Sequence, residues 1–455
     1  MNARRFLLPL FLAALAPLAR ADEPRLTATI HDSKFPPGHD TYNGLSAASD
    51  GRIYYVLSTD VHDTPARMFA YDPATRAVAD LGDLNAACGE TTGKTIVQGK
   101  SHVPFAEANG TLYFATHVGF YSLVDGMETM GIPPAGWGPY PGGHLVAFDP
   151  KSGRFESLAV APRREGILSM AMDGARGRLF AITWPTGRFF RFDLAKKDLK
   201  DFGPICAGGE SGRGGDYRTI CRSIAVDPRD GRAYYTDSEG NIHRYDPETD
   251  AVEVVPGDDL RKDYFGQYDP TSAGHMGYNW RQVVWVPSEG KVYGVHGNSG
   301  YLFRFDPKAE RVEVLDRITS DPSRRAGMFD QFSYGYLGFT LGSDGRTLYY
   351  LTGGPVYVDG KRLAGKSKTA MGESKGTENL HLVTYDIPTG TRVDHGAIFF
   401  PDGRRPTYVN SIAVGKDGTV YALSRVTEGP HPHTDLISVP AEQTREKIEE
   451  ARGKE

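Results

Sequence analysis

The sequence predicts an all-β protein, a seven-bladed β-propeller closed by its own N-terminal strand and ending in a short helical tail. Two observations carry this expectation: one structural unit recurs along the chain, and the last unit lacks an outer strand that the first residues can supply. The unit is a short apolar strand, a Gly-containing turn, a strand rich in Tyr, Val, Leu and Phe, a variable loop, then a third strand ending in an aromatic residue and Asp. That aromatic-Asp marker stands at Tyr71-Asp72, Phe148-Asp149, Phe192-Asp193, Tyr245-Asp246, Phe305-Asp306 and Tyr385-Asp386. Four of the six markers continue with Pro, whose fixed φ and missing N–H end a strand and set the turn.

Inner strands align as seven segments, beginning at Asn43, Ser101, Gly166, Cys221, Trp280, Tyr334 and Val409. Each places small or β-branched residues where strands crowd a central axis, and each runs through a Gly-containing turn or its equivalent into a second strand. Spacing between the units varies because loops absorb insertions. The seventh unit has inner strands near Val409–Val414 and Thr419–Ser424 and a third at Asp435–Val439, then turns into the polar EQTREKIEEARGKE, which reads as a helix or a solvated end. The unassigned strand Arg25–His31 therefore pairs into the last blade and removes its exposed edge. A linear sandwich would leave seven like units unexplained.

Residues 1–21 read as a secretory signal: Arg4 and Arg5, an apolar stretch from Phe6 to Leu18, and Ala19-Arg20-Ala21 before Asp22. The stretch is too short for a membrane span and is broken by Pro9 and Pro17. Residues 22–440 form the propeller and 441–455 the tail, in a periplasmic or secreted protein. Loss of three arginines with the leader takes the formal charge from −5 to −8. Such a chain has no general field for nucleic acid or anionic lipid, so an anionic ligand needs a local cationic pocket. Of three cysteines, Cys206 and Cys221 could close the glycine-rich loop between them, leaving Cys88 odd.

Inner-strand starts and second-strand ends of a propeller point to one face, so distant residues converge there. Strand starts contribute Tyr42, Asn43, His102, Arg222, Asn279, Arg281, Tyr334, Tyr336 and Asn410; second-strand ends contribute His117, Trp184, His296, Asn298 and Arg425. Loops add His39, Tyr217, Arg218, His275 and Tyr278, so that five of 13 histidines fall at one mouth. Singly, each has a structural explanation, because a buried His satisfies backbone groups and a channel Tyr packs. An arginine entering a narrow apolar funnel needs an anionic partner, internal or bound.

The chemistry that wants His, Tyr and Arg together is β-elimination from a uronate. A cation, arginine or divalent metal, neutralises the carboxylate and so stabilises the enolate-like intermediate. His or Tyr removes the C5 proton, and His or Tyr protonates the oxygen leaving C4. Trp184 and the Gly136–Tyr140 loop offer faces for sugar rings. With paired histidines on blade two and Tyr and Arg from later blades, the chain resembles the secreted seven-bladed polysaccharide lyases of the ulvan lyase and rhamnose–glucuronate lyase type. The resemblance implies base or acid roles for His102 and His117, a tyrosine role for Tyr217 or Tyr278, and carboxylate neutralisation by Arg222 or Arg281. Beside these, the convergence of strand ends at the mouth offers Arg281, His296, Asn298, Trp184, Tyr334, Asn410 and Arg425 as substrate contacts, with an acidic polysaccharide or oligosaccharide as the expected partner.

No cofactor is required by this scheme, with a divalent metal as the alternative neutraliser. His102, His117, His275 and His296 are metal-ligand types without a tight ligand spacing. The rival functions are a non-catalytic propeller binding glycan or protein, a related glycoside hydrolase, and a metal-dependent lactonase drawing on Glu165, Asn43, Asn279 and Asn410. There is no phosphate loop, nucleophile elbow or CxxC.

Overall fold

The computed structural model describes residues 24–90, 93–273, 275–296, 299–325, 338–355, 357–358, 361–362, 378–427 and 432–453. The leader, Asn298, Tyr334 and Tyr336 lie outside them. Seven sheets make the seven blades, each a meander ordered from the central axis outward. Blade one runs Leu45–Ala47, Ile53–Leu57, Arg67–Asp72, Ala77–Asp83. The inner strands of the others begin at Ala106, Gly166, Ala225, Trp280, Gly338 and Ala413. Second and third strands are buried almost throughout, as in Ile53–Leu57, whereas outer strands such as Ala77–Asp83 are half exposed. Apolar side chains between neighbouring blades form the core, and the second and third strands supply many of its Tyr and Phe, such as Tyr54, Tyr55, Phe69 and Phe180.

The aromatic-Asp marker ends the third strand in all six blades that carry it. The Asp carboxylate caps the following turn by accepting a backbone N–H two or three residues on, as from Ala74 to Asp72 at 2.8 Å and from Lys308 to Asp306 at 2.9 Å. Four residues after each Asp the backbone is left-handed, at Arg76, Gly153, Lys197, Asp250, Glu310 and Gly390. That conformation turns the chain into the outer strand.

Closure is more divided than the sequence suggests. Arg25–Thr27 lies parallel to Ala397–Phe399 as a fifth strand of blade six, while Thr29–His31 pairs antiparallel with Leu436–Ser438 as the outer strand of blade seven. The buried Ala28 is the crossing point, its N–H donating to Phe399 O at 2.8 Å. One short segment thus staples two blades. The tail is not a solvated end: the helix Arg445–Arg452 buries Ile448 and Ala451 against blade six. Before it, the Gln443 amide clamps Thr27, accepting from its N–H at 2.8 Å and donating to its C=O at 2.9 Å.

All three cysteines are free thiols. Cys221 is held by Ser223 O, 3.2 Å away, and by the Thr236 hydroxyl. Among the described residues, no helix is long and apolar enough to cross a membrane.

Candidate functional site

Blade two carries an insertion between its second and third strands, a hairpin of Tyr121–Val124 and Met127–Met130. Asp125 and Gly126 both have positive φ in its turn, the geometry that matches strand twist in a two-residue hairpin. The hairpin helps to wall a cavity of about 300 Å³ at one mouth of the ring, and among the described residues the wall draws on blades one to five and seven. Beneath it the axial channel opens a second space of about 560 Å³, to which His102 and Arg222 also contribute.

Blade two builds the centre. Lys100 and His117 are opposed in extended chain by reciprocal backbone bonds of 2.9 and 2.8 Å. His102 follows Lys100 by two residues, the spacing that returns a side chain to the same face of an extended segment. The rings of His102 and His117 lie 4.2 Å apart, Tyr42 stacks on His102 at 4.8 Å, and Trp184 meets His117 edge-on at 5.6 Å. Nε2 of His102 and Nδ1 of His117 are enclosed and find no hydrogen-bond partner among the described residues. Burial pushes both histidines well below their usual pKa, assisted for His102 by His117, Lys100, Arg222 and Arg281, and for His117 by Lys100 and Arg222. Both imidazoles are therefore neutral at neutral pH.

The two tyrosines in the wall are phenols at neutral pH. Burial raises Tyr42 to about 12, and burial with Glu128 nearby raises Tyr121 well above its usual value. Four cations line the same space. Arg222 Nη2 donates to Glu210 Oε1 at 2.6 Å, and Trp184 Nε1 donates to the other oxygen at 2.9 Å. Arg425 grips Asp40 with both edges of its fork, Nε at 2.7 Å, and lies over Tyr408. Arg281, 2% exposed, directs Nη2 toward Asn410 Oδ1 at 3.4 Å. Lys100 sits over the Tyr121 ring at 4.6 Å. Its pKa is lowered by burial, against the opposing pull of Asp40, Glu128 and Asp60. Burial also raises Glu128.

Of the residues singled out in the sequence, His102, His117, Arg222, Arg281, Trp184 and Arg425 meet in this wall, with Tyr42 and His39. Tyr217, Tyr278, His296 and Asn410 are not in it. Tyr217 is buried, its hydroxyl facing that of Thr219 at 3.5 Å. The long loop before blade five packs into an aromatic cluster of its own: His296 stacks on Phe265 at 4.2 Å, and the Tyr278 hydroxyl accepts the Tyr268 N–H at 3.1 Å. Asn410 stands behind Arg281 as its hydrogen-bond acceptor. Trp184 lines the cavity with its indole N–H already taken by Glu210.

Besides Leu168, six polar wall residues escape the strand-end reading: Lys100, Tyr121, Glu128, Glu210, Asp40 and Asp60. Lys100 is signalled by its two-residue spacing from His102; Tyr121 and Glu128 ride on the insertion. The glycine-rich loop before Cys221 delivers Glu210 to the mouth, while Arg218 turns away to Glu239. Among the described residues, no three His, Cys, Asp or Glu side chains group as metal ligands. His275 and His296 lie apart from the His102–His117 pair, and Glu165 is occupied by the hydroxyls of Thr183 and Thr186.

No protein-family model matches the sequence, and no curated protein does. Solved structures similar in fold include the extracellular domain of a hybrid two-component system from B. thetaiotaomicron, 12% identical, with a TM-score of 0.46 over 88% of this chain and 40% of that one. This chain thus spans two fifths of that neighbour's length. A chain of the mitotic checkpoint complex is 12% identical over 97% of this chain and all of that one, with a TM-score of 0.46. A chain of a nidogen–laminin complex is 11% identical over 73% and 95%, with a TM-score of 0.36. Likeness at this level extends to neither family nor activity.

Proposed function

We propose that the cavity cleaves a uronate-containing polysaccharide or oligosaccharide by β-elimination, in a protein exported to the periplasm or beyond. The observation that carries this reading is the pair of neutral histidines, 4.2 Å apart, in a wall that also holds four cations and two phenols. Neutral imidazole is the protonation state a base must have to take the C5 proton, and burial preserves it below the usual histidine range. A protonated phenol is the state an acid must have to deliver a proton to the oxygen leaving C4. Tyr121, 6.3 Å from His117, and Tyr42, stacked on His102, supply that group on either side of the pair. A cation in the wall holds the carboxylate and stabilises the negative charge that develops when C5 loses its proton. The proton leaves C5 for imidazole, the electron pair forms the C4–C5 double bond, and the C4 oxygen departs with the phenol proton.

The test is incubation with a panel of uronate polysaccharides, followed by absorbance near 235 nm, where the unsaturated product absorbs. A rise that His117→Ala abolishes is expected. New reducing ends without that absorbance would point to hydrolysis, and binding without cleavage to a non-catalytic propeller.

A further inference from the structure

The cations of the wall are not equivalent. Arg222 donates to Glu210 at 2.6 Å and Arg425 grips Asp40 through its fork. Arg281 is enclosed and turned to the Asn410 amide. Each of these guanidiniums is already positioned by an internal acceptor. Lys100 differs. Its ammonium rests on the face of Tyr121, and among the described residues no carboxylate oxygen stands within 4.0 Å of Nζ. Asp40, Glu128 and Asp60 face it from farther away. The side chain is nonetheless buried, 7% exposed, beside both histidines. Burying an ammonium without a carboxylate contact is unfavourable, so the position is one that stability alone would not select. A ligand carboxylate entering the cavity supplies the missing counterion.

We infer that Lys100, not either of the arginines the sequence suggests, receives the carboxylate of the sugar, which makes it a substrate-contacting residue for a glycosyl carboxylate. This rests on the uronate reading of the cavity and names the group that enforces it. The arginines become positioning residues: Arg222 with Glu210 fixes Trp184 against His117, and Arg425 with Asp40 fixes the wall beside His39. The site then discriminates against the neutral sugar of the same shape.

The test uses the full chain with D-glucuronate and D-galacturonate as probes and D-glucose as the neutral control. Binding is followed by the Cε1–H resonances of His102 and His117. Lys100→Met should weaken binding of the uronates by about tenfold or more, the loss of one charge-assisted contact, while Lys100→Arg keeps it within about threefold. The melting temperature of Lys100→Met should equal or exceed the parent's, because a buried charge without a carboxylate contact is gone. Uronate binding unchanged in Lys100→Met, no uronate binding by the parent, or a lowered melting temperature shared by the Met and Arg variants would each overturn the assignment. Lys100-dependent uronate binding without elimination on any polymer would leave the carboxylate site standing and remove the lyase reading. Elimination with an unchanged KM in Lys100→Met would do the reverse.

Discussion

Gly166 opens the inner strand of blade three, opposite Trp184, and its missing side chain is what seats His117. A Cβ built there falls 2.0 Å from His117 Nδ1, 2.5 Å from Cε1 and 2.9 Å from Cγ. Ordinary contact begins near 3.4 Å, so in Gly166→Ala the imidazole must retreat by about 1.4 Å. It cannot carry its backbone along, because that is tied to Lys100 on both sides, and His102 and Trp184 hem the ring. The change is a pure displacement: φ at Gly166 is not positive, so alanine adds no backbone strain. Misplacing a catalytic group by ~1 Å costs roughly 10²-fold in rate, and overpacking costs about 1–3 kcal/mol in stability. Turnover at 235 nm and urea unfolding measure the two. In a His117→Ala background, where the ring is already absent, Gly166→Ala should cost no further stability. Parental kcat/KM in the folded Gly166→Ala protein would refute a catalytic role for His117 in this geometry.

Other consequences follow from the same wall. Because burial and neighbouring cations lower both histidines, the acid limb of kcat/KM should lie below pH 6.5; activity is present with imidazole neutral and falls as pH drops through the lowered values. A limb at or above 6.5 would assign the base elsewhere. Buried His296, lowered to about 3, is neutral when folded but protonates near 6.5 when unfolded, so it removes ~1.4 kcal/mol of stability per pH unit below 6.5 until that folded value is reached. His102, His117 and His395, also lowered by burial, add to this slope, so urea midpoints between pH 7 and 4 should fall steeply and His296→Phe should reduce the slope by its own share only. Glu210→Ala leaves Arg222 and the Trp184 N–H without their shared acceptor and should cost about 3–5 kcal/mol, read by unfolding, with turnover lost alongside. In the proposed mechanism protein cations fill the neutralising role, so dialysis against EDTA should leave turnover unchanged; loss that Ca²⁺ or Mn²⁺ restores would bring a metal into the mechanism.

The sequence by itself determined the blades and the pairing of His102 with His117. Within a blade, hydrogen bonds join strands adjacent in the chain, so period-two patterning, the Gly turns and the aromatic-Asp marker record that architecture locally. The histidine pair was legible for the same reason, since both rings belong to neighbouring segments of one blade. Tertiary structure decided what lies between blades. Arg25–His31 reads as one strand, but the gap between blades six and seven divides it at Ala28. Tyr217 and Tyr278 sit on loops aimed at the mouth in sequence, yet local packing consumes them, and Tyr42 and Tyr121 face the cavity instead. The charge partners were the least legible: whether Arg222 meets Glu210 depends on how a glycine-rich loop folds back, and whether Lys100 meets a carboxylate depends on a hairpin inserted above it. Such contacts are set by long-range geometry among loops, on which no periodicity in the chain reports.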